Sequence, residues 1–411
     1  MSDARKEFGL GWKVLIAALF GTMCGASPVP FSTIGSFLMP LEADYGWNAG
    51  QVMTGVTIFG VTACLLAPVF GRMADRFGVR RVAILSLLAF GLTFAAFGLT
   101  PNSLPIFYGL WFILGLIGIG STPVTWSRAV NMWFVSNRGL ALGIMLVGTG
   151  VAGFVLPSLA TYLIGTLGWR WAYGLIALLP LGLAMPIVLL YFREPTKAEI
   201  SASPTLAANL TGVSVKQGLK NYRFWIMWTS FFLVALAYGG FYTNLQNMLV
   251  IKGYSRADAA FVAGFLGLSI VFGRVISGYL IDRFWAPLIT FPLLSLPAVA
   301  CYFYSGSTIH MGVAIIGAIC LGFAAGAESD LIAYLAGRYF GMANYGTLYG
   351  FLYMAFGLGS SFSPALYGYA YVKYGSYTPV LTVAGGLLLF GSCLLLLLGR
   401  YPILNEVAAE A

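Results

Sequence analysis

Apolar stretches of about 20 residues, long enough to cross a bilayer as a helix, follow one another along almost the whole chain. Only 9% of the 411 residues are charged and 59% are hydrophobic. Soluble domains carry about 25% charged residues, because polar groups must cover their core. The sequence therefore predicts an all-α, multi-pass membrane protein.

The apolar runs predict twelve transmembrane helices in two sets of six. The first set covers residues 12–37, 49–69, 81–100, 104–128, 139–165 and 170–192. The second set covers residues 223–250, 257–281, 287–306, 310–337, 345–371 and 377–400. A polar stretch separates them, so we expect an N-terminal bundle (1–192), a cytoplasmic linker (193–222) and a C-terminal bundle (223–411). Ser27-Pro28-Val29-Pro30 predicts a kink in the first helix, and Gly239-Gly240 predicts an irregular turn in the seventh.

A short charged motif occurs twice, as Gly71-x-x-x-Asp75-Arg76 and Gly278-x-x-x-Asp282-Arg283, at an offset of 278 − 71 = 207 residues. The same offset relates further pairs in one chain order: Gly46 with Gly253, Trp47 with Tyr254, Gly143 with Gly350, Gly150 with Gly357, Pro157 with Pro364 and Gly168 with Gly375. One constant shift across the whole set indicates two structurally similar halves, an organisation typical of secondary transporters.

Lysine and arginine are distributed unevenly between the two sides of the predicted membrane. With the N-terminus inside, seventeen of the 22 lie on the cytoplasmic side, four lie outside and Arg274 lies within a helix. This asymmetry predicts cytoplasmic termini, in a protein of the cell (inner) membrane. The net charge of +9 is spread over short loops, so nucleic acid is not an expected partner.

The sequence offers no group of residues suited to catalysis or to holding a cofactor. It contains no nucleotide-binding loop, no metal-ligand spacing and no Ser/His/Asp constellation, and its five cysteines lie in apolar runs. We therefore expect neither an enzyme nor a cofactor or metal site. The expected protein is a functional monomer in the bilayer.

Over nearly its whole length the chain resembles a transporter of the major facilitator superfamily. The two Gly-x-x-x-Asp-Arg loops resemble the signature that follows the second and eighth helices of that superfamily. The stretch from Trp133 to Gly143 is similar to the Trp-Phe…Arg-Gly-Leu-Ala-x-Gly motif of the monocarboxylate porter and oxalate/formate antiporter branch. Tyr45-Gly46-Trp47 and Gly168-Trp169-Arg170 fit the same branch.

The resemblance implies that two halves rock around a central site, and that an arginine of the eighth helix holds a substrate carboxylate. Gly273-Arg274-Val275-Ile276-Ser277-Gly278 matches the Gly-Arg-x-x-x-Gly setting of that arginine. The chain departs from its relatives in having Lys13 only at the start of the first helix, Ile270 in place of an acid found in animal members, and no lysine in 345–371. A single buried cation suits a monoanion better than a dicarboxylate.

Three ionisable residues are expected deep in the membrane. Arg274 lies eight residues before Asp282, or about 12 Å into its helix, where an unpaired charge is costly. Glu328 and Asp330 point about 200° apart on one helix, so one is expected to pair with Arg274. Either is a candidate proton-coupling residue, since a carboxyl in low dielectric holds its proton. A static salt bridge is the alternative for all three.

Two further groups of candidate residues follow. A conformational latch is predicted for the repeated loops and a neighbouring arginine, namely Asp75, Arg76, Asp282, Arg283 and Arg128. Substrate contacts, with plain packing as the alternative, are predicted for Tyr238, Tyr242, Tyr334, Tyr353, Trp126 and Ser127.

The sequence thus favours a secondary active transporter that moves a small organic monoanion, a monocarboxylate, with a proton by alternating access. Its expected partners are that carboxylate, the proton and the lipid bilayer. The alternatives are an anion exchanger, an efflux permease for drug-like compounds and a non-transporting ligand sensor.

Overall fold

The computed structural model describes residues 3–196, 198–199 and 211–402, with side chains from residue 7 onwards. These residues form helices joined by short loops, without a β-sheet in the described ranges. Eleven helical spans among them are long and apolar enough to cross a membrane. The predicted helix that these spans leave out, 345–371, is also present, as the 30-residue helix Tyr345–Tyr374. The predicted all-α membrane fold is therefore confirmed.

The N-terminal helices are separated by a few residues each. They are α1 (Asp3–Met23), α2 (Pro28–Tyr45), α3 (Ala49–Phe77), α4 (Val79–Ala96), α5 (Leu104–Gly118), α6 (Pro123–Trp133), α7 (Arg138–Leu167), α8 (Trp169–Ile176) and α9 (Met185–Tyr191). The break between α1 and α2 falls at the predicted proline kink, because Pro28 and Pro30 lack amide hydrogens and therefore start a new helix.

The first of the C-terminal helices lies within the predicted linker (193–222), of which residues 197 and 200–210 lie outside the described residues. The C-terminal helices are α10 (Val215–Lys220), α11 (Tyr222–Ile251), α12 (Arg256–Ile281), α13 (Ala286–Ser305), α14 (Met311–Phe340), α15 (Tyr345–Tyr374) and α16 (Thr378–Leu394).

Helix α11 runs unbroken through Gly239 and Gly240, but a side chain enters its hydrogen-bond ladder there. The Ser363 hydroxyl accepts from the Gly240 amide at 2.6 Å and donates to the Leu236 carbonyl at 2.5 Å. It therefore stands between the two groups that an α-helix normally joins directly. The predicted irregular turn is a local insertion and not a break.

The chain divides into two compact units. Of the described residues, the N-terminal unit holds 3–196, 198–199 and 211–213 together with Phe340–Gly350. The C-terminal unit holds Ser214–Tyr339 and 351–402. Residues 345–350 of α15 thus pack with the N-terminal unit, although the remainder of that helix belongs to the other unit.

Candidate functional site

Arg274 of α12 and Asp330 of α14 form a buried ion pair in the C-terminal unit. Nη1 of Arg274 donates to Oδ1 of Asp330 at 2.8 Å and to the Ser329 hydroxyl at 3.1 Å. Only 9% of the arginine side chain and none of the aspartate side chain is exposed. Among the described residues, Nε of Arg274 and Oδ2 of Asp330 have no hydrogen-bond partner. Each ion is therefore held on one side only and keeps an atom able to bind another group.

Glycines bring α12 and α14 close enough for this pair to form. A Cβ atom on Gly326 would collide with the carbonyl oxygen of Ile270, and one on Gly322 with that of Leu266. Gly273, next to the arginine, likewise leaves no room for a side chain. Small residues four apart allow two membrane helices to approach at backbone distance. The contact therefore places Arg274 beside the carboxylate one turn beyond Gly326.

Glu328 lies on the same helix as the ion pair but does not join it. Its side chain is fully buried, and neither carboxyl oxygen has a hydrogen-bond partner among the described residues. The Tyr238 hydroxyl of α11 is the polar group that lies near it. An ionised carboxylate without a partner costs several kcal/mol when it is removed from water. The neutral acid is therefore the form of Glu328 that this surrounding accommodates.

Tyr238 and Tyr242 share one face of α11, as their spacing of four predicts. Tyr238 is buried, whereas Tyr242 is 43% exposed. Both hydroxyls are close enough to Arg274 for its charge to act on them. The structure thus brings five of the predicted residues together in one unit: Arg274, Asp330, Glu328, Tyr238 and Tyr242.

Two other predicted contact residues of the C-terminal unit, Tyr334 and Tyr353, have other neighbours. The Tyr334 hydroxyl donates to the Ile281 carbonyl at 2.9 Å, at the end of α12. Ile281 is seven residues beyond Arg274, so the Tyr334 hydroxyl is bound about 10 Å along α12 from the arginine. The Tyr353 ring packs at 5.6 Å from that of Phe356 on its own helix.

Trp126 and Ser127 belong to the N-terminal unit. Trp126 is fully buried, donates its indole N–H to the Ser121 carbonyl at 2.9 Å and packs against Phe192. The Ser127 hydroxyl lies 3.2 Å from that of Tyr345. The Trp126 ring is therefore engaged in packing, and its indole N–H is engaged in a hydrogen bond within the N-terminal unit.

The first repeated motif holds the start of α15; its residues Gly71 to Arg76 form the last turns of α3 and not the loop that the sequence predicted. Asp75 accepts hydrogen bonds from the amides of Gly346 (2.9 Å) and Thr347 (2.8 Å) and from the Thr347 hydroxyl (2.8 Å). These amides belong to the first turn of the helix, where donors lack intrahelical partners and the dipole favours an anion. Arg128 pairs with the same carboxylate and donates to the Met342 carbonyl at 3.3 Å.

Close packing supports this contact. Gly71, one turn before Asp75, meets Gly346 so closely that a Cβ atom on either would collide with the backbone of the other. Glu194 lies 3.5 Å from Nε of Arg128 and accepts from the Val79 amide at 3.3 Å. The predicted partner Arg128 is thus joined to Asp75, within a charge network that includes an acid not predicted from the sequence.

The remaining latch candidates have different surroundings. Arg76 is exposed and lies over the Phe77 ring at 5.6 Å. Asp282 follows α12 directly, and Arg283 donates to the Tyr279 carbonyl at 3.1 Å.

Comparisons with known proteins agree on the type of protein. The family model described as Major Facilitator Superfamily matches residues 14–364. Monocarboxylate transporter 13 of Bos taurus is 25% identical over 400 residues, covering 96% of this chain and 90% of that protein. The human organic anion transporter MFSD10 superposes with a TM-score of 0.73 at 15% identity, over 94% of this chain and 99% of the other. The Escherichia coli fucose:proton symporter superposes with a TM-score of 0.72 at 14% identity, over 95% and 99%.

Proposed function

Because the chain belongs to the major facilitator superfamily, we propose that it is a secondary active transporter that carries a small organic monoanion, a monocarboxylate, together with a proton. It is a multi-pass membrane transporter and not an enzyme. We propose that the substrate is a monoanion, that a proton is coupled to its transport, and that both move in the same direction. Relatives whose names specify a monocarboxylate or an organic anion support this substrate class.

The observation that carries the proposal is the one-sided ion pair of Arg274. A guanidinium presents a planar fork of donors that matches a carboxylate bidentately. Asp330 occupies only Nη1, and Nε is buried without a partner among the described residues. An incoming carboxylate therefore has donors to bind without first removing the aspartate. Tyr238 and Tyr242 offer hydroxyl groups beside the same site.

Charge balance links this anion to a proton. Arg274 and Asp330 together are neutral, so a bound monoanion adds one negative charge to a buried site. Glu328 is fully buried on the helix of Asp330, and neither of its carboxyl oxygens has a hydrogen-bond partner among the described residues, so we propose that it takes up a proton when the substrate loads and releases it when the site opens to water. We assign Glu328 as the first choice for the proton-coupling residue and Asp330 as the second. Loading a proton and a monoanion together leaves the site without net added charge.

The contact of Asp75 with α15 is the proposed conformational latch. It consists of hydrogen bonds and an ion pair beside the close contact of Gly71 with Gly346. We propose that it breaks and reforms in each transport cycle, with Arg128 as the cation that Asp75 holds. Asp282 and Arg283 are proposed for the corresponding role in the second half, on the strength of the 207-residue repeat. The protein is proposed to act as a monomer in the cell (inner) membrane, with cytoplasmic termini.

Uptake by protein reconstituted into liposomes tests this function. With an alkaline interior, a labelled monocarboxylate should accumulate, and uptake should rise as the outside pH falls. For one proton per monoanion, the accumulation ratio at equilibrium changes about tenfold per pH unit, as the proton ratio does. Flux only into liposomes preloaded with an anion would instead favour an exchanger. Binding of the monocarboxylate without flux, both under a pH gradient and with a preloaded anion, would favour a ligand sensor.

A further inference from the structure

A cavity of about 680 Å³ lies in the C-terminal unit, away from the Arg274 site. It is formed where α12 ends, α13 begins and the chain leaves the last helical segment. Its walls are Ile281, Asp282, Arg283, Phe284, Trp285, Tyr334, Arg338, Gly399, Arg400 and Tyr401. The cavity therefore combines three arginines with one acidic residue and several aromatic rings, on the side that we propose to be cytoplasmic.

No carboxylate of the described residues forms an ion pair with the arginines of this cavity. None of Arg283, Arg338 and Arg400 forms a salt bridge within the part of the chain that the structure describes. Nε of Arg338 is buried and has no hydrogen-bond partner among the described residues. With Asp282 counted against the three arginines, the lining carries a net charge of 3 − 1 = +2. A polyanionic group is the ligand that such a lining stabilises.

The aromatic rings position the arginines. The guanidinium of Arg338 lies over the Tyr401 ring at 4.4 Å, and that of Arg283 over the Tyr279 ring at 3.4 Å. Stacking on a ring holds the guanidinium plane without using its N–H donors. The Tyr401 hydroxyl accepts from the Ala286 amide at 3.0 Å, so the aromatic wall is itself fixed to the start of α13. The donors of Arg338 are thus preorganised and remain available.

We propose that this cavity binds the phosphate group of an anionic ligand, with Arg338 and Arg400 as its direct contacts. Arginine is the side chain best suited to phosphate, since its planar donors meet two phosphate oxygens at once. A phosphate reaches this position either as the headgroup of an anionic lipid or as a soluble phosphate compound. Both sources offer the same chemistry, and they differ in whether acyl chains anchor the ligand in the bilayer.

The position of the cavity gives the site a means of acting on transport. Arg338 lies eight residues after Asp330 on α14, and Ile281 lies seven residues after Arg274 on α12. The Tyr334 hydroxyl already joins these two helices at the cavity wall. A phosphate held by Arg338 strengthens this junction at the ends of the two helices that form the buried ion pair. The inference does not depend on the identity of the transported substrate.

Binding to the purified full-length protein in detergent tests the site. Phosphatidylglycerol is added with phosphatidylcholine as the zwitterionic control and followed by native mass spectrometry; inorganic phosphate is added alone and followed by thermal unfolding. Arg338→Gln and Arg400→Gln are compared with Arg81→Gln, an exposed arginine of the other unit that is also predicted to be cytoplasmic. Arg400 is exposed, so its variant is expected to fold even where the Arg338 variant does not.

We expect each cavity variant to weaken binding about tenfold or more, the usual effect of losing a hydrogen bond from a charged group, while Arg81→Gln binds as the wild type does. If this pattern appears only with phosphatidylglycerol, the ligand is a lipid headgroup; if it also appears with inorganic phosphate, a soluble phosphate suffices. Equal binding by wild type and Arg400→Gln for both probes would overturn the proposal. So would an equal loss in Arg81→Gln, because it would indicate general attraction to surface charge.

Discussion

Arg274 holds Asp330 through a single nitrogen, 2.8 Å from one carboxylate oxygen, across a contact between α12 and α14 that leaves no space for a side chain. Burial makes this pair sensitive to the loss of either partner. Removing one member of a buried pair leaves an uncompensated charge and costs about 3 to 5 kcal/mol. Replacing both by apolar groups costs far less, since no charge is then buried.

The first prediction follows from that asymmetry. Asp330→Leu should destabilise the protein by about 3 to 5 kcal/mol, whereas Arg274→Met combined with Asp330→Leu should lose much less than the two single variants together. Thermal unfolding of the wild type, both single variants and the double variant measures the coupling. Additive losses would show that the two charges do not stabilise one another.

The second prediction concerns the glycine contact. Gly326→Ala places a methyl group against the Ile270 carbonyl, so α12 and α14 must move apart and the ion pair must lengthen. We expect a loss of about 1 to 3 kcal/mol, the usual cost of overpacking, together with weaker monoanion binding. Gly312→Ala on the same helix meets nothing within 4 Å and is the matched control. Similar behaviour of the two variants would exclude close packing at Gly326 as the cause.

The third prediction concerns the proton. Glu328→Gln keeps the shape of the side chain and removes no hydrogen bond, so the variant should fold and bind the monoanion. It should lose accumulation driven by a pH gradient while retaining exchange between two anion pools. Glu42→Gln, which changes an exposed acid, should accumulate normally. If Glu328→Gln and Asp330→Asn both accumulated substrate against its gradient, neither carboxyl would carry the coupled proton.

The fourth prediction concerns the latch. Asp75→Asn weakens the capping of the first turn of α15 and leaves Glu194 as the remaining ion-pair partner of Arg128. Turnover should fall about tenfold or more, in line with the loss of a charge-assisted bond, while the dissociation constant of the substrate stays within about twofold. Arg72→Gln, an exposed charge at the same end of α3, is the control. A variant that is well expressed but no longer binds substrate would contradict a latch role.

Much of this architecture could be predicted from hydropathy and from one repeated spacing. Helix lengths follow from the width of the bilayer, and the offset of the Asp75 and Asp282 loops indicates two related halves. Arg274 could be recognised as a candidate functional residue because an unpaired cation in the middle of a membrane helix is costly. The helices and Arg274 were predicted from local hydropathy, whereas the two halves were predicted from the long-range repeat.

The choice between Glu328 and Asp330 could not be predicted, because residues two apart on a helix point in different directions and spacing does not say which neighbour lies on which side. The close contact of α14 with α12 at Gly322 and Gly326 decides which of the two acids faces Arg274. The spacing of four residues between these glycines was the available sequence signal. The hydrogen bond between Arg274 and the Ser329 hydroxyl was not predicted, for the same reason. The hold of Asp75 on Gly346 joins residues 271 apart in sequence, a separation at which pattern reasoning has no information.

Recognition of a carboxylate by Arg274 is best measured by calorimetric titration of the purified protein with a transported monocarboxylate and with its neutral amide. The wild type should bind the carboxylate at least tenfold more tightly than the amide, because a charge-assisted bidentate pair is lost with the amide. Arg274→Lys should bind the carboxylate more weakly, since the charge remains but the fork is gone, and Arg274→Ala should not bind it measurably. Equal affinity of the wild type for carboxylate and amide would contradict this account and leave Arg274 as a structural partner of Asp330.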